Sequence, residues 1–286
     1  MILTALVDTE TLAHHLADPD WVVFDCRHDL VSPERGRADY AKSHIPGACF
    51  LHMDEDLSAP KTGRNGRHPL PDPQVLSEKL GRVGVDSRKQ VVAYDAQGGM
   101  AAARLWWLLR WLGHLPVAVL DGGWGQWVAE GRPQTVDAPQ VRPTLFAGRA
   151  RDNWVDAEFV RARLDDATML LVDARAPDRF RGMNETIDPV GGRIPGARNR
   201  FHRDNLDASG MFKAAEILKE EFRAILGDAD PGDVVNYCGS GVSACHNLLA
   251  MEVAGLRGAR LYPGSWSEWS ADPACPVASG EPQPGA

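Results

Sequence analysis

The chain repeats itself, and this limits its fold more than any other feature of its 286 residues. Trp21-Val-Val-Phe-Asp-Cys-Arg27 in the first half answers to Met169-Leu-Leu-Val-Asp-Ala-Arg175 in the second. Ile45-Pro-Gly-Ala48 returns as Ile194-Pro-Gly-Ala197, and Val91-Val-Ala-Tyr-Asp95 as Val234-Val-Asn-Tyr-Cys238. Leu120-Asp-Gly-Gly-Trp124 returns as Leu261-Tyr-Pro-Gly-Ser-Trp266. The four matches keep their order, at offsets between 142 and 149 residues. A unit of roughly 145 residues can bury its own core, so this is a duplicated domain and not a solenoid.

Each copy alternates short apolar runs with helical patterns. Leu170-Leu-Val172, Val234-Val235 and Ala259-Arg-Leu-Tyr262 read as buried strands, while 214–225 and 242–254 carry apolar residues at helical spacing. In the first copy the clearest helix is 101–112, with Trp106, Trp107 and Trp111. Alternation of this kind implies right-handed crossovers. The expected fold class is α/β: two tandem domains, each a parallel sheet covered by helices on both faces. The first domain is expected over 1–135, a Pro- and Gly-rich linker over 136–152 and the second domain over 153–278. The Gly/Pro-rich end, 279–286, reads as a disordered tail.

Composition closes off several functions. Hydrophobic residues make up 44% and charged ones 24%, which is globular. A net charge of −8 argues against nucleic acid as a partner, and no apolar run is long enough for a membrane partner. Asp8 comes too early for a secretory signal. Five cysteines without a Cys-x-x-Cys pair speak against disulfides and structural zinc, so the expected setting is a reducing cytoplasm.

The repeat separates structural residues from chemical ones. Features in both copies belong to the shared fold: Asp25/Arg27 and Asp173/Arg175 pairing at a strand end, the Ile-Pro-Gly-Ala turns, and Trp124 and Trp266 anchoring helices. The informative difference is Asp95 against Cys238. Cys238 follows the strand 234–237 and precedes a helix beginning near Val242, with Gly239-Ser240-Gly241 as the turn. The carboxyl end of a strand in an open parallel sheet is where reactive groups sit. Glycines let several amide N–H groups curl toward the sulfur, and the helix start adds partial positive charge. Both favour a thiolate, the nucleophilic form. Cys26, Cys49, Cys245 and Cys275 read as packing residues, and His44 and His246 as structural.

Cys238-Gly-Ser-Gly-Val-Ser-Ala-Cys-His246, with Asp-x-Arg, Ile-Pro-Gly-Ala and the duplicated layout, resembles the tandem-domain rhodanese family of sulfurtransferases over roughly residues 5–275. The loop is similar to the mercaptopyruvate type, with Ser243 where Thr is usual. Thiosulfate-preferring members carry basic residues just after the cysteine, and Gly239 and Ser240 bear no charge. The resemblance implies two rhodanese-like domains of which only the second is catalytic. It implies transfer of a sulfane sulfur from 3-mercaptopyruvate, through a Cys238 persulfide, to cyanide, a thiol or thioredoxin, with no metal or organic cofactor. Thiosulfate:cyanide transfer is the alternative.

Site residues follow from the same resemblance. Cys238, Ser240 and Ser243 form the catalytic loop with Gly239, Gly241 and Val242. Arg179 matches the arginine that binds the substrate carboxylate. The second such arginine is missing, because Glu185-Thr-Ile-Asp188-Pro occupies its segment, and Arg193 is the expected source of compensating charge. From the first domain, Asp54 and His68 match positions facing the cysteine, His68 with a role in proton transfer.

Three rivals remain in view. Gly239-Ser-Gly-Val-Ser-Ala244 satisfies the dinucleotide pattern Gly-x-Gly-x-x-Ala, but no acidic residue ends the next strand and the unit comes late in its domain. A cysteine phosphatase needs an arginine about six residues after the cysteine. Ala244 stands there. A non-catalytic interaction module predicts no sulfur transfer at all.

Overall fold

The computed structural model describes residues 2–281. They divide into two compact units. One lies within Met1–Pro60, Leu70–Asp152 and Ala208–Phe212, the other within Lys61–Pro69, Asn153–Asp207 and Lys213–Ala286. The short segment Lys61–Pro69, expected in the first domain, therefore belongs to the second unit, and His68 goes with it.

The first unit holds β1 (Leu6–Val7), β2 (Trp21–Asp25), β3 (Cys49–Phe50), β4 (Gln90–Tyr94) and β5 (Val117–Leu120) in the order β1-β5-β4-β2-β3. The second holds β6 (Leu170–Asp173), β7 (Arg198–Asn199), β8 (Val234–Tyr237) and β9 (Arg260–Leu261) in the order β7-β6-β8-β9. Every pairing is parallel. A parallel bridge from Trp154 to Leu261 takes, beside β9, the place that β1 has beside β5. The two sheets thus share one strand order, as the repeat requires. All of β4 and β8 is buried, which fits central strands covered on both faces.

Helices fall within a residue of their expected limits: Met100–Trp111, Ala215–Leu226 and Ser243–Val253. Ala215–Leu226 is amphipathic and buries Leu218, Phe222 and Leu226, four residues apart, before Gly227 ends it. Ser243–Val253 is buried on nearly every side, so its sequence lacks that contrast.

A shared brace fixes both sheets. Arg27 donates through Nε and Nη2 to Asp25, and Tyr94 donates its hydroxyl hydrogen to Asp25 Oδ2 (2.7 Å) while accepting from Ile45 N–H. Arg27 also lies over Trp124 at 4.6 Å. In the second unit Arg175 grips Asp173, Ile194 N–H donates to Tyr237, and Arg175 lies over Trp266 at 4.7 Å. The charges are buried but paired, which is the condition for burying them. The brace ties each strand end to its Ile-Pro-Gly-Ala turn, where Gly47 and Gly196 adopt φ of 80° and 76°.

Segment 136–152 has almost no regular structure but is packed on the first unit. Thr144 N–H donates to Gly81 O, Phe146 is buried, and Arg149 N–H donates to Leu112 O. The expected tail begins ordered: Gly280 N–H donates to Arg181 O and its carbonyl accepts from Arg193. Two hydrogen bonds at Gly280 offset the cost of ordering that glycine. The rest of that expectation, 282–286, lies outside the described residues. No helix among the described residues is long and apolar enough to cross a membrane.

Candidate active site

Cys238 sits at the carboxyl end of β8 and is 1% exposed. Gly241 N–H donates to its Sγ at 3.1 Å. The turn that makes this contact requires glycine: Gly241 has φ 76°, and a Cβ there would lie 2.4 Å from Pro263 O. Cys238 N–H donates to Ser265 Oγ (3.1 Å), whose hydroxyl donates to Tyr262 O. Trp266 N–H and Ser267 N–H bind the carbonyls of Cys238 and Gly239. The backbone on both sides of the sulfur is thereby fixed. Ser265 was not visible as a site residue in the sequence. Its φ of 55°, rare outside glycine, is tolerated because its hydroxyl is bonded on both sides.

The Ser240 hydroxyl lies 2.8 Å from His68 Nδ1, and both residues are buried. Val242 is buried at the helix entrance and Ser243 opens the helix, half-buried. Asp54 belongs to the first unit and is half-buried there.

The arginines differ from expectation in one respect. Arg179 lies by the loop, 3.8 Å (Nη1) from where a Cβ on Gly239 would stand. Its Nε and Nη2 are held by Glu185, and Nη2 also by Asp188 at 3.2 Å. Arg193, expected to compensate the lost arginine, does not do so. Its Nη1 donates to Gly280 O at 2.7 Å and its guanidinium covers Phe180, so its charge is spent at the chain end. Arg67 comes to the loop instead. Its Nη1 donates to Asp188, and its Nη2 lies 2.7 Å from the Cβ position of Gly239. The sequence did carry a hint, since an acidic residue at 188 beside Glu185 demands more positive charge than Arg179 supplies. Burial raises the Asp188 pKa, an effect that Arg67 opposes, while backbone N–H groups and Arg179 overcome burial to lower that of Glu185.

The other cysteines behave as packing residues. Burial, with Asp25 adding to it, pushes Cys26 well up, and burial alone pushes Cys49 to about 11. Cys275 is raised by burial too. Cys245 donates from Sγ to Gly241 O inside the helix. His44 bonds two carbonyls and stacks on Tyr40, and His246 is wholly buried beside Asn205. Among the described residues no group of three or more His, Cys, Asp and Glu is placed to hold a metal.

Comparison with known proteins agrees with the duplicated fold. The Rhodanese-like domain matches residues 8–130 and 156–272. The chain is 47% identical over 279 residues to a probable 3-mercaptopyruvate sulfurtransferase of Pseudomonas aeruginosa, covering 96% of this chain and 98% of that one. It is 37% identical to a putative thiosulfate sulfurtransferase of Mycobacterium tuberculosis, covering 90% of each. Its fold is similar to that of the 3-mercaptopyruvate sulfurtransferase from Leishmania major, with TM-score 0.84 and 29% identity over 93% of this chain and 74% of that one. Two matched copies and relatives aligned along nearly the whole length show that the chain belongs to the rhodanese-like family.

Proposed function

We propose that this protein is a sulfurtransferase that takes sulfur from 3-mercaptopyruvate and carries it as a persulfide on Cys238. The observation that supports this best is the Gly241 N–H aimed at Cys238 Sγ, at a strand end flanked by two arginines. Relatives named for the same donor add to it.

The thiolate of Cys238 attacks the donor's sulfur, and a new S–S bond forms. The C–S bond breaks, its electron pair stays on carbon, and pyruvate leaves as its enolate, to be protonated. Ser240 and His68, joined by a hydrogen bond, are placed to hold the proton exchanged in this step. Loop amides and the arginines oppose the negative charge that develops. In the second half-reaction the acceptor takes the outer sulfur and Cys238 returns to thiolate. Cyanide leaves as thiocyanate; a thiol, or thioredoxin as the protein acceptor, leaves as a persulfide. Ser243 borders the same loop, and for Asp54 the resemblance implies a catalytic role. An Asp54→Asn variant with unchanged turnover would remove that role.

Thiosulfate is the second reading. Arg67 favours it, because it brings a cation to Gly239, where thiosulfate-preferring relatives bear charge. The deciding experiment measures kcat/KM for both donors with cyanide as common acceptor, together with mass spectrometry of donor-treated enzyme. The proposal requires a gain of one sulfur on the Cys238 peptide and preference for mercaptopyruvate. An unlabelled peptide ends it.

A further inference from the structure

Asp188 stands where the resemblance places a second carboxylate-binding arginine, and the structure shows what the exchange achieves. Asp188 accepts from Arg67 Nη1 and Arg179 Nη2, and Glu185 holds Nε and Nη2 of Arg179. Both carboxylates are nearly inaccessible, with side-chain exposures of 3% and 4%, against 22% for Arg67 and 20% for Arg179. The acids thus grip the guanidinium groups from within. What they leave over faces the loop: Nη2 of Arg67 and Nη1 of Arg179 lie 2.7 and 3.8 Å from the Cβ position of Gly239, next to Cys238. Arg67 Nε is buried with no hydrogen-bond partner. A Cβ at Gly239 would stand 2.7 Å from Arg67 Nη2, so the bare backbone leaves that guanidinium its place.

We propose that Arg67 is the second donor-binding cation of this enzyme, positioned by Asp188, so that Arg67 Nη2 and Arg179 Nη1 together hold the carboxylate of the sulfur donor. The anchor has moved from the segment 185–188 to the segment 61–69, and the residue left behind became its support. Two planar guanidinium groups, each held by a buried carboxylate, form a preorganised pair for a carboxylate. Two buried acids balance the two cations. Donor choice then rests on hydrogen-bond geometry more than on net charge. The inference rests on mercaptopyruvate being the donor.

The test uses Arg67→Ala, Arg67→Lys, Asp188→Ala and the Arg67→Ala/Asp188→Ala double variant, with kcat and KM for mercaptopyruvate and thiosulfate and cyanide as acceptor. Losing one charge-assisted hydrogen bond should raise KM for mercaptopyruvate about tenfold or more in Arg67→Ala, with kcat within about twofold. Arg67→Lys keeps a cation for Asp188 but loses the second nitrogen, so it should show most of the same rise. This variant decides the matter if Arg67→Ala does not fold. Asp188→Ala should also raise KM, and the double variant should be no worse than Arg67→Ala alone. An unmoved KM in Arg67→Lys overturns the role of Arg67. Equal losses for both donors overturn recognition of the carboxylate, and additive losses in the double variant overturn positioning by Asp188. Wild-type enzyme that turns over thiosulfate but not mercaptopyruvate would sink the donor assignment itself, a result distinct from these.

Discussion

The two copies place different residues at the end of the same central strand and bond them differently. In the first unit the Asp95 carboxylate accepts from Gln97 N–H (2.7 Å), Gly99 N–H (2.9 Å), Ala101 N–H (2.7 Å) and Ala102 N–H (2.9 Å). The nest is full, and the first turn of helix Met100–Trp111 is capped by it. In the second unit the same position is Cys238, and Gly241 N–H reaches its sulfur. The neighbouring residue differs in step. Gly123, with φ 52°, has no room for a side chain, since a Cβ would lie 2.4 Å from Asp95 O. Its counterpart Ser265 keeps the same conformation and uses its hydroxyl to hold Cys238 N–H.

The largest expected effect breaks the comparison outright. Cys238→Ser should lower sulfur transfer from every donor by about a thousandfold or more, read as thiocyanate formation. The converse change, Asp95→Cys, should gain no sulfur by mass spectrometry. Val31 and Gln97 stand at offsets matching Arg179 and Ser240, so donor anchor and hydroxyl are both absent. Next comes stability. Asp95→Ala leaves four N–H groups, three of them in buried bonds, without an acceptor and should cost about 3–5 kcal/mol in denaturant unfolding.

A pH effect of comparable size belongs to the second unit. Burial lowers the pKa of His202 to about 4 from its ordinary 6.5. The unfolded chain then binds the proton more readily than the folded one. The contribution is complete above pH 6.5 and lost as pH falls toward 4, about 3 kcal/mol in all. His202→Phe should flatten the stability profile across that window. The smallest effect sharpens the contrast at the adjacent turn: Ser265→Ala should cost about 1–2 kcal/mol and lower kcat with little change in KM, whereas Gly123→Ser should destabilise without touching kcat.

Much of this was legible in the sequence, for identifiable reasons. The strands β4 and β8 announce themselves through Val91-Val-Ala93 and Val234-Val235, because a doubly covered sheet favours apolar residues on both faces. Cys238 could be singled out because the duplication supplied its own control in Asp95. Arg193 and Arg67 show where such reading stops. Both are arginines in Gly-rich surroundings, and nothing local distinguishes the one spent on Gly280 from the one that reaches Asp188. The segment 61–69 was assigned by its place in the chain, whereas packing places it with the second unit.

The sequence by itself determined the duplicated α/β architecture with its parallel sheets and singled out Cys238 as the candidate nucleophile. Each is encoded by short-range pattern: strand period, turn chemistry and a repeated motif. Only the tertiary structure decided which charged groups surround that nucleophile. Ion pairs form between residues 121 positions apart, as Arg67 and Asp188 are, and their pairing follows from burial and reach in space, which no local pattern records.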